Sequence, residues 1–282
     1  MEDPRPLLPH RCELGEGPVW DEVAGSLLWV DIPVGEIHRH APGTADVDTV
    51  ALGVAVGAVC RRAGGGLVAA TARGFLLLGP GGEVEREIPV EANMPGNRMN
   101  DAKADPQGRL WAGTMALDES PGAGALYRLD PDGSVERILA GVGLSNGLDW
   151  SPDGSTFYYV DSLAGRVDAF DFDPGPGRLA SRRPLAGIER GTPDGLTVDA
   201  EGTIWVALWG AGRVRRLSPD GETLAELAFP TPGTTSCAFG GPGLDTLFVT
   251  TDGRRREGDP EAGKLFVARP DATGRAPSRF AG

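Results

Sequence analysis

The chain has 282 residues, and its 40% hydrophobic content is enough to bury a core, which excludes disorder as the expected state. Asp and Glu outnumber Lys and Arg by 40 to 27, and the formal net charge of −13 excludes the basic surface that nucleic-acid binding requires. The same charge disfavours an anionic membrane surface. Residues 1–13 lack the apolar core of a secretory leader, and no stretch approaches the roughly 18 apolar residues of a membrane span. We therefore expect a cytoplasmic protein with no nucleic-acid or membrane partner.

A turn followed by an aromatic or branched strand recurs six times along the chain. The equivalent residues are spaced 39, 43, 48, 46 and 43 positions apart, and they are Trp29, Val68, Trp111, Tyr159, Trp205 and Phe248. Repeats of about 40–45 residues that carry four strands each are typical of β-propeller blades. The 43 glycines and 24 prolines, spread along the chain, supply the many tight turns that such blades need.

A second repeat lies between these positions, where a turn glycine begins an alternating strand. Its members are residues 35–37, 74–76, 124–126, 165–167, 212–214 and 263–265. Two hairpins in each repeat make a four-stranded antiparallel blade, and no helical period persists. The sequence therefore predicts an all-β, six-bladed β-propeller formed by residues 1–282 as one domain. The sixth repeat lacks one strand and is followed only by a polar tail, so we expect the apolar segment Pro6–Arg11 to complete that blade and close the ring.

In a propeller, the first strand of each blade lines the central channel. A step of 11–13 residues back from each aromatic position reaches one equivalent channel position in every blade: Glu16, Gly57, Asn100, Asn146, Asp194 and Ser236. Convergent carboxylates repel one another unless a cation lies between them. Carboxylate and amide oxygens suit Ca²⁺, Mg²⁺ or Mn²⁺. Polar side chains bonded to trapped channel water are the alternative that the spacing leaves open.

Other motifs suggest different chemistry. The segment GLSNG (143–147) matches the nucleophile elbow of serine hydrolases, but it begins a predicted propeller strand and no histidine partner is expected nearby. His38 and His40 share one strand face, and we interpret them as a surface pair without a third zinc ligand. Cys12, Cys60 and Cys237 form no CxxC pair, so we expect neither a disulfide framework nor a thiolate metal site.

Several long motifs resemble one known family, the gluconolactonase, regucalcin and luciferin-regenerating-enzyme group of six-bladed propellers. The similar stretches cover nearly the whole chain in the family's order and include LGEGPVWD (14–21), GNRMNDAKADPQGRLWAGTM (96–115), LSNGLDWSPDGSTFYYVDS (144–162) and TPDGLTVDAEGTIWVALWGAGRVRRL (192–217). The resemblance implies the same propeller fold and the same channel positions as the repeat analysis.

The resemblance also implies roles for individual residues. It implies that the direct ligands of one divalent cation (Ca²⁺, or Zn²⁺, Mn²⁺ or Mg²⁺) are Glu16, Asn146 and Asp194. Asn100 would lie beside the cation and hold substrate or water, and Arg98 would contact substrate hydroxyls or a carboxylate.

Two acidic residues near these motifs are harder to place. We interpret Asp101 as a structural residue at a strand end. The family pattern is least well kept in the loop 116–124, where Glu119 is either a substrate contact or a solvated acid.

The activity implied is hydrolysis of a sugar lactone, a small-molecule partner. The cation would polarise the carbonyl oxygen, and either Asp194 as general base or a cation-held water would drive the attack. Two alternatives stay open: an organophosphate-hydrolysing phosphotriesterase of the same fold, and a non-catalytic calcium-binding regulatory protein. Arg98 and Asn100 favour a polyol over the apolar pocket that a phosphotriester would need. The sequence does not define the oligomeric state, and a monomer is compatible with it.

Overall fold

A computed structural model describes residues 2–254 and 258–282. It contains six four-stranded antiparallel sheets, each formed by consecutive strands except the last, which also includes the first strand of the chain. The innermost strands of neighbouring sheets contact one another in cyclic order, so the sheets form a closed six-bladed propeller. The all-β, six-bladed fold predicted from the repeats is therefore confirmed.

The strands of the first three blades alternate with short turns. The N-terminal strand is β1 (Glu2–Arg11), and blades 1 to 3 comprise β2 (Gly15–Asp21), β3 (Ser26–Asp31), β4 (Glu36–His40), β5 (Asp48–Ala51), β6 (Val56–Arg61), β7 (Leu67–Thr71), β8 (Gly74–Leu78), β9 (Val84–Pro89), β10 (Asn97–Ala104), β11 (Leu110–Ala116), β12 (Gly124–Leu129) and β13 (Val135–Val142).

Blades 4 to 6 follow the same order, with a short 3₁₀ helix after the second strand of blade 4. They comprise β14 (Ser145–Trp150), β15 (Thr156–Asp161), the 3₁₀ helix Ser162–Ala164, β16 (Arg166–Asp173), β17 (Arg178–Gly187), β18 (Thr192–Val198), β19 (Ile204–Trp209), β20 (Arg213–Leu217), β21 (Thr223–Ala228), β22 (Thr234–Gly240), β23 (Thr246–Thr251) and β24 (Lys264–Arg269). No helix in the described part of the chain is long and apolar enough to cross a membrane. The cytoplasmic location stays a prediction.

The N-terminal strand closes the ring, as predicted. β1 pairs antiparallel with β24, with Pro6 opposite Phe266 and Arg11 opposite Lys264, and so becomes the outermost strand of blade 6. The strand begins at Glu2 and is therefore longer than the predicted segment Pro6–Arg11. Blade 6 combines strands from both ends of the chain, so strand pairing closes the ring without a gap.

The repeated tryptophans are held by a local device in the first hairpin of the blade. In blade 3, the buried Asp105 carboxylate accepts hydrogen bonds from the Trp111 indole (3.0 Å) and from two turn amides. In blade 5, Asp199 does the same for Trp205 (2.9 Å). A buried carboxylate that accepts several N–H groups keeps the turn and the core tryptophan in one fixed geometry.

Each innermost strand contains an irregularity in its pairing at the channel position predicted from the repeats. The shifts fall between residues 16 and 19, 56 and 58, 99 and 102, 145 and 148, 193 and 196, and 234 and 237. A bulge re-aims the side chains of the extra residues. Six bulges at equivalent positions therefore turn one ring of side chains toward the channel.

Glycines permit the close approach of the innermost strands at this level. A Cβ atom at Gly195 would collide with the Ser236 side chain, and one at Gly57 would collide with the Asn100 carbonyl oxygen. Blade 2 therefore contributes no side chain at its channel position, and the ligand-bearing strands can lie near the axis.

The residues after β24 differ from the polar tail expected. They cross the far end of the channel, where Arg275 donates to the Trp150 carbonyl (2.6 Å) and to the Asp149 carboxylate (3.2 Å). Beyond it, Phe280 is 1% exposed in the core between blades 2 and 3, and its backbone bonds to Arg61 and Ala63. The tail is a strap, defined here as residues 270–282, anchored by one buried aromatic side chain.

The histidines of blade 1 also differ from the surface pair expected. His38 and His40 are both buried, with 0% and 2% exposure. His40 Nδ1 lies 3.0 Å from the Asp46 carbonyl oxygen, which satisfies it locally. Cys60 and Cys237 are free and buried, as the apolar runs around them suggest.

Replacing Phe280 by Ala is expected to lower the free energy of unfolding by about 3–5 kcal/mol, because removing a buried aromatic side chain leaves a cavity. Urea unfolding followed by tryptophan fluorescence measures the change. The control Leu224→Ala alters a side chain that is 52% exposed and should change the free energy by less than about 0.5 kcal/mol. Equal losses in both variants would show that the strap is not anchored through Phe280.

Candidate metal centre in the central channel

Three of the predicted site residues converge on the channel from different blades. Glu16 lies on β2, Asn146 on β14 and Asp194 on β18, and all three side chains are buried. Each of them is followed by a glycine, which lets the neighbouring innermost strand pass close behind it.

The two carboxylates are held in similar ways. Glu16 Oε2 accepts the backbone N–H of Gly17 at 2.8 Å, and the Asp194 carboxylate accepts that of Gly195. Asp194 Oδ1 is buried and has no hydrogen-bond partner among the described residues. A buried carboxylate oxygen without a donor costs free energy, so it indicates a missing positive ligand.

The amide of Asn146 is oriented by blade 4 and blade 5 together. Its Nδ2 donates to Ser162 Oγ (2.9 Å), and that hydroxyl donates to the Pro193 carbonyl (2.7 Å). The amide oxygen is then turned toward Asn100, whose Nδ2 donates to it at 3.1 Å. An oxygen donor is thus presented on the same side as the carboxylates.

Aspartates at the ends of two second strands position the ligand-bearing strands. Asp31 accepts the backbone N–H groups of Glu13 (2.8 Å) and Leu14 (3.0 Å), just before Glu16. In blade 4, Asp161 accepts the corresponding N–H groups of residues 143 and 144, just before Asn146. The same contact therefore fixes the approach of two of the three predicted ligands.

Arg98 and Asn100 are linked to Asn146 by hydrogen bonds, and their roles in substrate binding stay predictions. Arg98 Nη1 donates to Asn100 Oδ1 (2.6 Å) and to the Met99 carbonyl (3.0 Å), and Asn100 Nδ2 also donates to the Ser145 carbonyl (2.8 Å). Asn100 thereby links the guanidinium to the amide of Asn146. The arginine is half-buried, so part of it faces the open side of the channel.

Glu119 lies apart from this network. It is exposed on the loop between β11 and β12, with a positive φ of 58°. Its carboxylate is close enough to raise the pKa of Arg98, so it contributes negative charge near the channel mouth. The structure shows no direct contact of Glu119 with the three ligands.

The electrostatics of the site call for a cation. Burial raises the pKa of Glu16 to about 8, and Asp101 adds to the effect by repulsion. Burial and repulsion from Glu16 raise the pKa of Asp194 well above its usual value. Arg98 offsets part of this negative charge, while burial lowers its own pKa to about 10, so it stays protonated at neutral pH. Arg98 is thus the positive side chain that acts on Glu16, and it does not prevent the rise in the pKa of that carboxyl group.

The sequence-based interpretation of Asp101 was wrong. Asp101 lies in the middle of β10, at the bulge, and its Oδ1 accepts the backbone N–H of Ala102 (2.8 Å). Its charge raises the pKa values of both Glu16 and Asp194, so it belongs to the channel. Strict alternation places Asp101 on the opposite face from Asn100, and only the bulge brings consecutive residues toward the same site.

Asp252 is a further acidic residue that the sequence did not single out. It follows β23 and accepts hydrogen bonds from the Trp209 indole (3.2 Å) and from Arg254 (3.1 Å). Its charge adds to the repulsion on Glu16 and Asp194. Its place at the end of a second strand, as for Asp31 and Asp161, is the signal that identifies it.

The far side of the channel is electrostatically balanced. A cavity of about 90 Å³ lies between the bulges and the strap, and Asp101, Lys103 and Asp149 line it. Burial alone would raise the pKa of Asp149, but Lys103 (2.9 Å) and Arg275 lower it below the usual value. The unbalanced negative charge is therefore on the Glu16 and Asp194 side.

The donor set fits a divalent cation. Two carboxylates and an amide oxygen are hard ligands, and the unpartnered Asp194 oxygen leaves a position that a cation or a water molecule would fill. Two carboxylates would neutralise a divalent ion. These features favour Ca²⁺, Mg²⁺ or Mn²⁺ over a metal that prefers sulfur.

Comparison with known proteins finds relatives over nearly the full chain. A sequence profile described as the SMP-30/Gluconolactonase/LRE-like region matches residues 14–253. Regucalcin of Homo sapiens is 42% identical over 98% of this chain and 97% of its own. A solved luciferin-regenerating enzyme superposes with a TM-score of 0.94 at 32% identity over 100% of both chains. A regucalcin of Agrobacterium tumefaciens, described as a calcium-binding protein, gives 0.95 at 30% identity over 100% of this chain and 98% of its own. The resemblance seen in the motifs is confirmed.

Cation binding at this site is expected to release protons at neutral pH. With the pKa of Glu16 near 8 and that of Asp194 raised, the cation-free carboxyl groups are partly protonated, and a cation must displace those protons. Affinity should therefore fall as pH falls, by up to about tenfold per pH unit for each proton displaced. Calorimetric titration with Ca²⁺ in buffers of different ionisation enthalpy measures the proton count. Glu16→Gln should release fewer protons, and a wild-type count of zero at neutral pH would contradict this account.

Proposed function

The chain belongs to the SMP-30/gluconolactonase/LRE-like family, and we propose that it hydrolyses a sugar lactone in the channel with one divalent cation held by Glu16, Asn146 and Asp194. The main observation behind this proposal is the pair of buried, unneutralised carboxylates beside an oriented amide oxygen. Arg98 and Asn100 lie at the same level and present polar groups that suit a hydroxylated substrate.

A bound divalent cation supplies Lewis-acid polarisation of the ester carbonyl at this site. The residues of the chain carry out the other steps. Asp194 has one carboxylate oxygen without a hydrogen-bond donor among the described residues, and an oxygen left free by the cation would serve as a general base. It would accept the proton of the attacking water and return it to the ring oxygen as the ester bond breaks.

Arg98 and Asn100 would orient the substrate. Only one terminal nitrogen of Arg98 donates to described residues, which leaves the rest of its guanidinium fork available to hydroxyl groups of a sugar. Asn100 fixes that fork through a 2.6 Å hydrogen bond. Glu119, near the mouth of the channel, would contact only the outer end of the substrate.

The alternatives concern the same site. A phosphotriesterase would need an apolar pocket beside the cation, whereas the half-buried guanidinium of Arg98 makes that position polar. A non-catalytic calcium-binding role is suggested by the description of the Agrobacterium tumefaciens regucalcin, and it also supports Ca²⁺ as the first ion to test. Turnover separates these possibilities.

Asp194→Asn is expected to lower kcat by about 10²–10⁴-fold, the range usual for loss of a general base. Turnover of a panel of sugar lactones is followed by acid release with a pH indicator. The matched control is Asp132→Asn, which changes an exposed turn carboxylate and should leave kcat unaltered. Cation binding by Asp194→Asn is measured in parallel. If turnover persisted with the cation bound, Asp194 would not be the base.

Arg98→Met is expected to raise KM for lactones with free hydroxyl groups by about tenfold or more, since a charged hydrogen bond contributes roughly 1.5–3 kcal/mol. KM for an unsubstituted aliphatic lactone should change little, and that substrate serves as the control. An equal rise in KM for both substrates would show that Arg98 does not orient the substrate.

Removing the cation with a chelator should abolish lactone hydrolysis, and adding Ca²⁺, Mn²⁺ or Zn²⁺ should restore it. Paraoxon is assayed beside the lactones under the same conditions. Full lactonase activity in the metal-free protein would contradict metal dependence. Tight Ca²⁺ binding without hydrolysis of either substrate class would favour the regulatory role.

A further inference from the structure

A second cluster of metal-ligating side chains lies at the seam where the ring closes, outside the central channel. His10 is at the end of β1, Cys12 follows that strand, and His38 is in the middle of β4. One donor atom of each residue lies within 4.8 Å of the other two. Cys12 and His38 are buried, with 6% and 0% exposure, and His10 is partly buried.

The two imidazoles have nitrogens that no protein group satisfies. Nε2 of His10 and Nε2 of His38 are both buried without a hydrogen-bond partner among the described residues. His38 Nδ1 lies 3.0 Å from Thr49 Oγ1. When Thr49 accepts the Nδ1 proton, Nε2 of His38 keeps its lone pair, which is the arrangement that second-sphere hydrogen bonds give to metal-binding histidines.

The surroundings of the cluster depart from the pattern of the other blades. In blades 3 and 5, the core tryptophan donates to an aspartate of its own hairpin. In blade 1, the indole of Trp29 instead donates to the sulfur of Cys12. Trp29 also packs on His38 with the ring centroids 5.2 Å apart, and the ring of His10 meets that of His38 edge-on at 4.6 Å. The repeat is thus altered where the thiol is placed.

Burial changes the pKa values of two members of the cluster in opposite directions. Burial and the charge of His10 lower the pKa of His38 to about 4, so its imidazole is neutral at physiological pH. Burial, with repulsion from Asp31, raises the pKa of Cys12 to about 12, so its thiol is protonated when no cation is present. A cation would exchange for that single proton.

We propose that His10, Cys12 and His38 bind one Zn²⁺ ion as a second metal site, separate from the oxygen-ligand site of the channel. Two imidazole nitrogens and one sulfur are the ligand types that Zn²⁺ takes in structural sites. Zn–N and Zn–S bonds of about 2.0–2.3 Å set tetrahedral ligand atoms roughly 3.3–3.7 Å apart, so donor atoms within 4.8 Å of one another need to move together by no more than about 1.5 Å. On binding, the S–H bond of Cys12 breaks, its proton leaves to solvent, and the sulfur bonds to the metal.

Glu36 is placed to complete the coordination. Its Oε2 lies 3.7 Å from His38 Nε2, and its charge acts on Cys12. The side chain is 32% exposed, so either its carboxylate or a water beside it can reach the ion. A fourth ligand from the solvent side also provides the path by which Zn²⁺ enters.

The site would join two neighbouring blades. His10 and Cys12 belong to the segment that completes blade 6, whereas His38 belongs to blade 1. Zn²⁺ bound to both would hold the closing strand against the neighbouring blade and stabilise the folded ring by its binding free energy. The role is structural, and it does not depend on the chemistry proposed for the channel.

Cobalt substitution tests the site in the full-length protein. Asp194→Asn is used as the background, so that the channel ligands do not compete for the ion. We expect one equivalent of Co²⁺ to produce a near-ultraviolet thiolate-to-cobalt band that one equivalent of Zn²⁺ removes. Oxygen ligands alone give no such band. Absence of the band would therefore overturn the proposal, and this test needs no substitution of Cys12.

Matched variants assign the ligands. In the same background, Cys12→Ser and His38→Gln should each weaken Zn²⁺ binding at least 100-fold and abolish the rise in Tm that Zn²⁺ produces. Cys60→Ser alters another buried cysteine outside the cluster and should leave both unchanged. The cluster would not be the zinc site if Cys60→Ser weakened Zn²⁺ binding as much as Cys12→Ser does. The same conclusion would follow if Cys12→Ser and His38→Gln both left Zn²⁺ binding unchanged.

Discussion

Mutual repulsion between Glu16 and Asp194 is the constraint around which the channel is organised. Both carboxylates are buried; burial raises the pKa of each, and the charge of Glu16 raises that of Asp194 further. A carboxyl group whose pKa rises on folding stabilises the native state at low pH, and this contribution is lost as pH rises from 4.5 to about 8 for Glu16. At neutral pH the pair is therefore either partly protonated or neutralised by a positive charge in the same site. The hydrogen bonds to Gly17 and Gly195 offset the cost in part.

The backbone that brings these charges together is built from one repeated distortion. Every innermost strand breaks its pairing at the channel level, and glycines beside the ligands let adjacent strands approach. The aspartates that end the second strands then fix how the chain enters each ligand-bearing strand. The position of the site thus follows from the propeller geometry, whereas its charge follows from which side chains occupy the bulges.

Much of the fold could be predicted from the sequence, because aromatic residues and turn glycines recur at blade length. The channel residues followed from the same spacing. Asp101 was misplaced because alternation along a strand does not reveal a bulge. The seam cluster of His10, Cys12 and His38 was missed because β1 pairs with β24, more than 250 residues away, and this pairing brings His10 and Cys12 beside blade 1. The anchor at Phe280 was missed for the same reason, since a single aromatic residue in a polar segment carries no period.

The strap across the far end of the channel affects how a molecule can reach the central site. With Arg275 bonded to blade 4 and Phe280 inserted between blades 2 and 3, the strap spans the far end of the channel. A molecule that binds at the level of Glu16 and Asp194 would therefore enter from the opposite end. A site approached from one end suits a small, compact molecule better than a polymer that would have to pass along the whole axis.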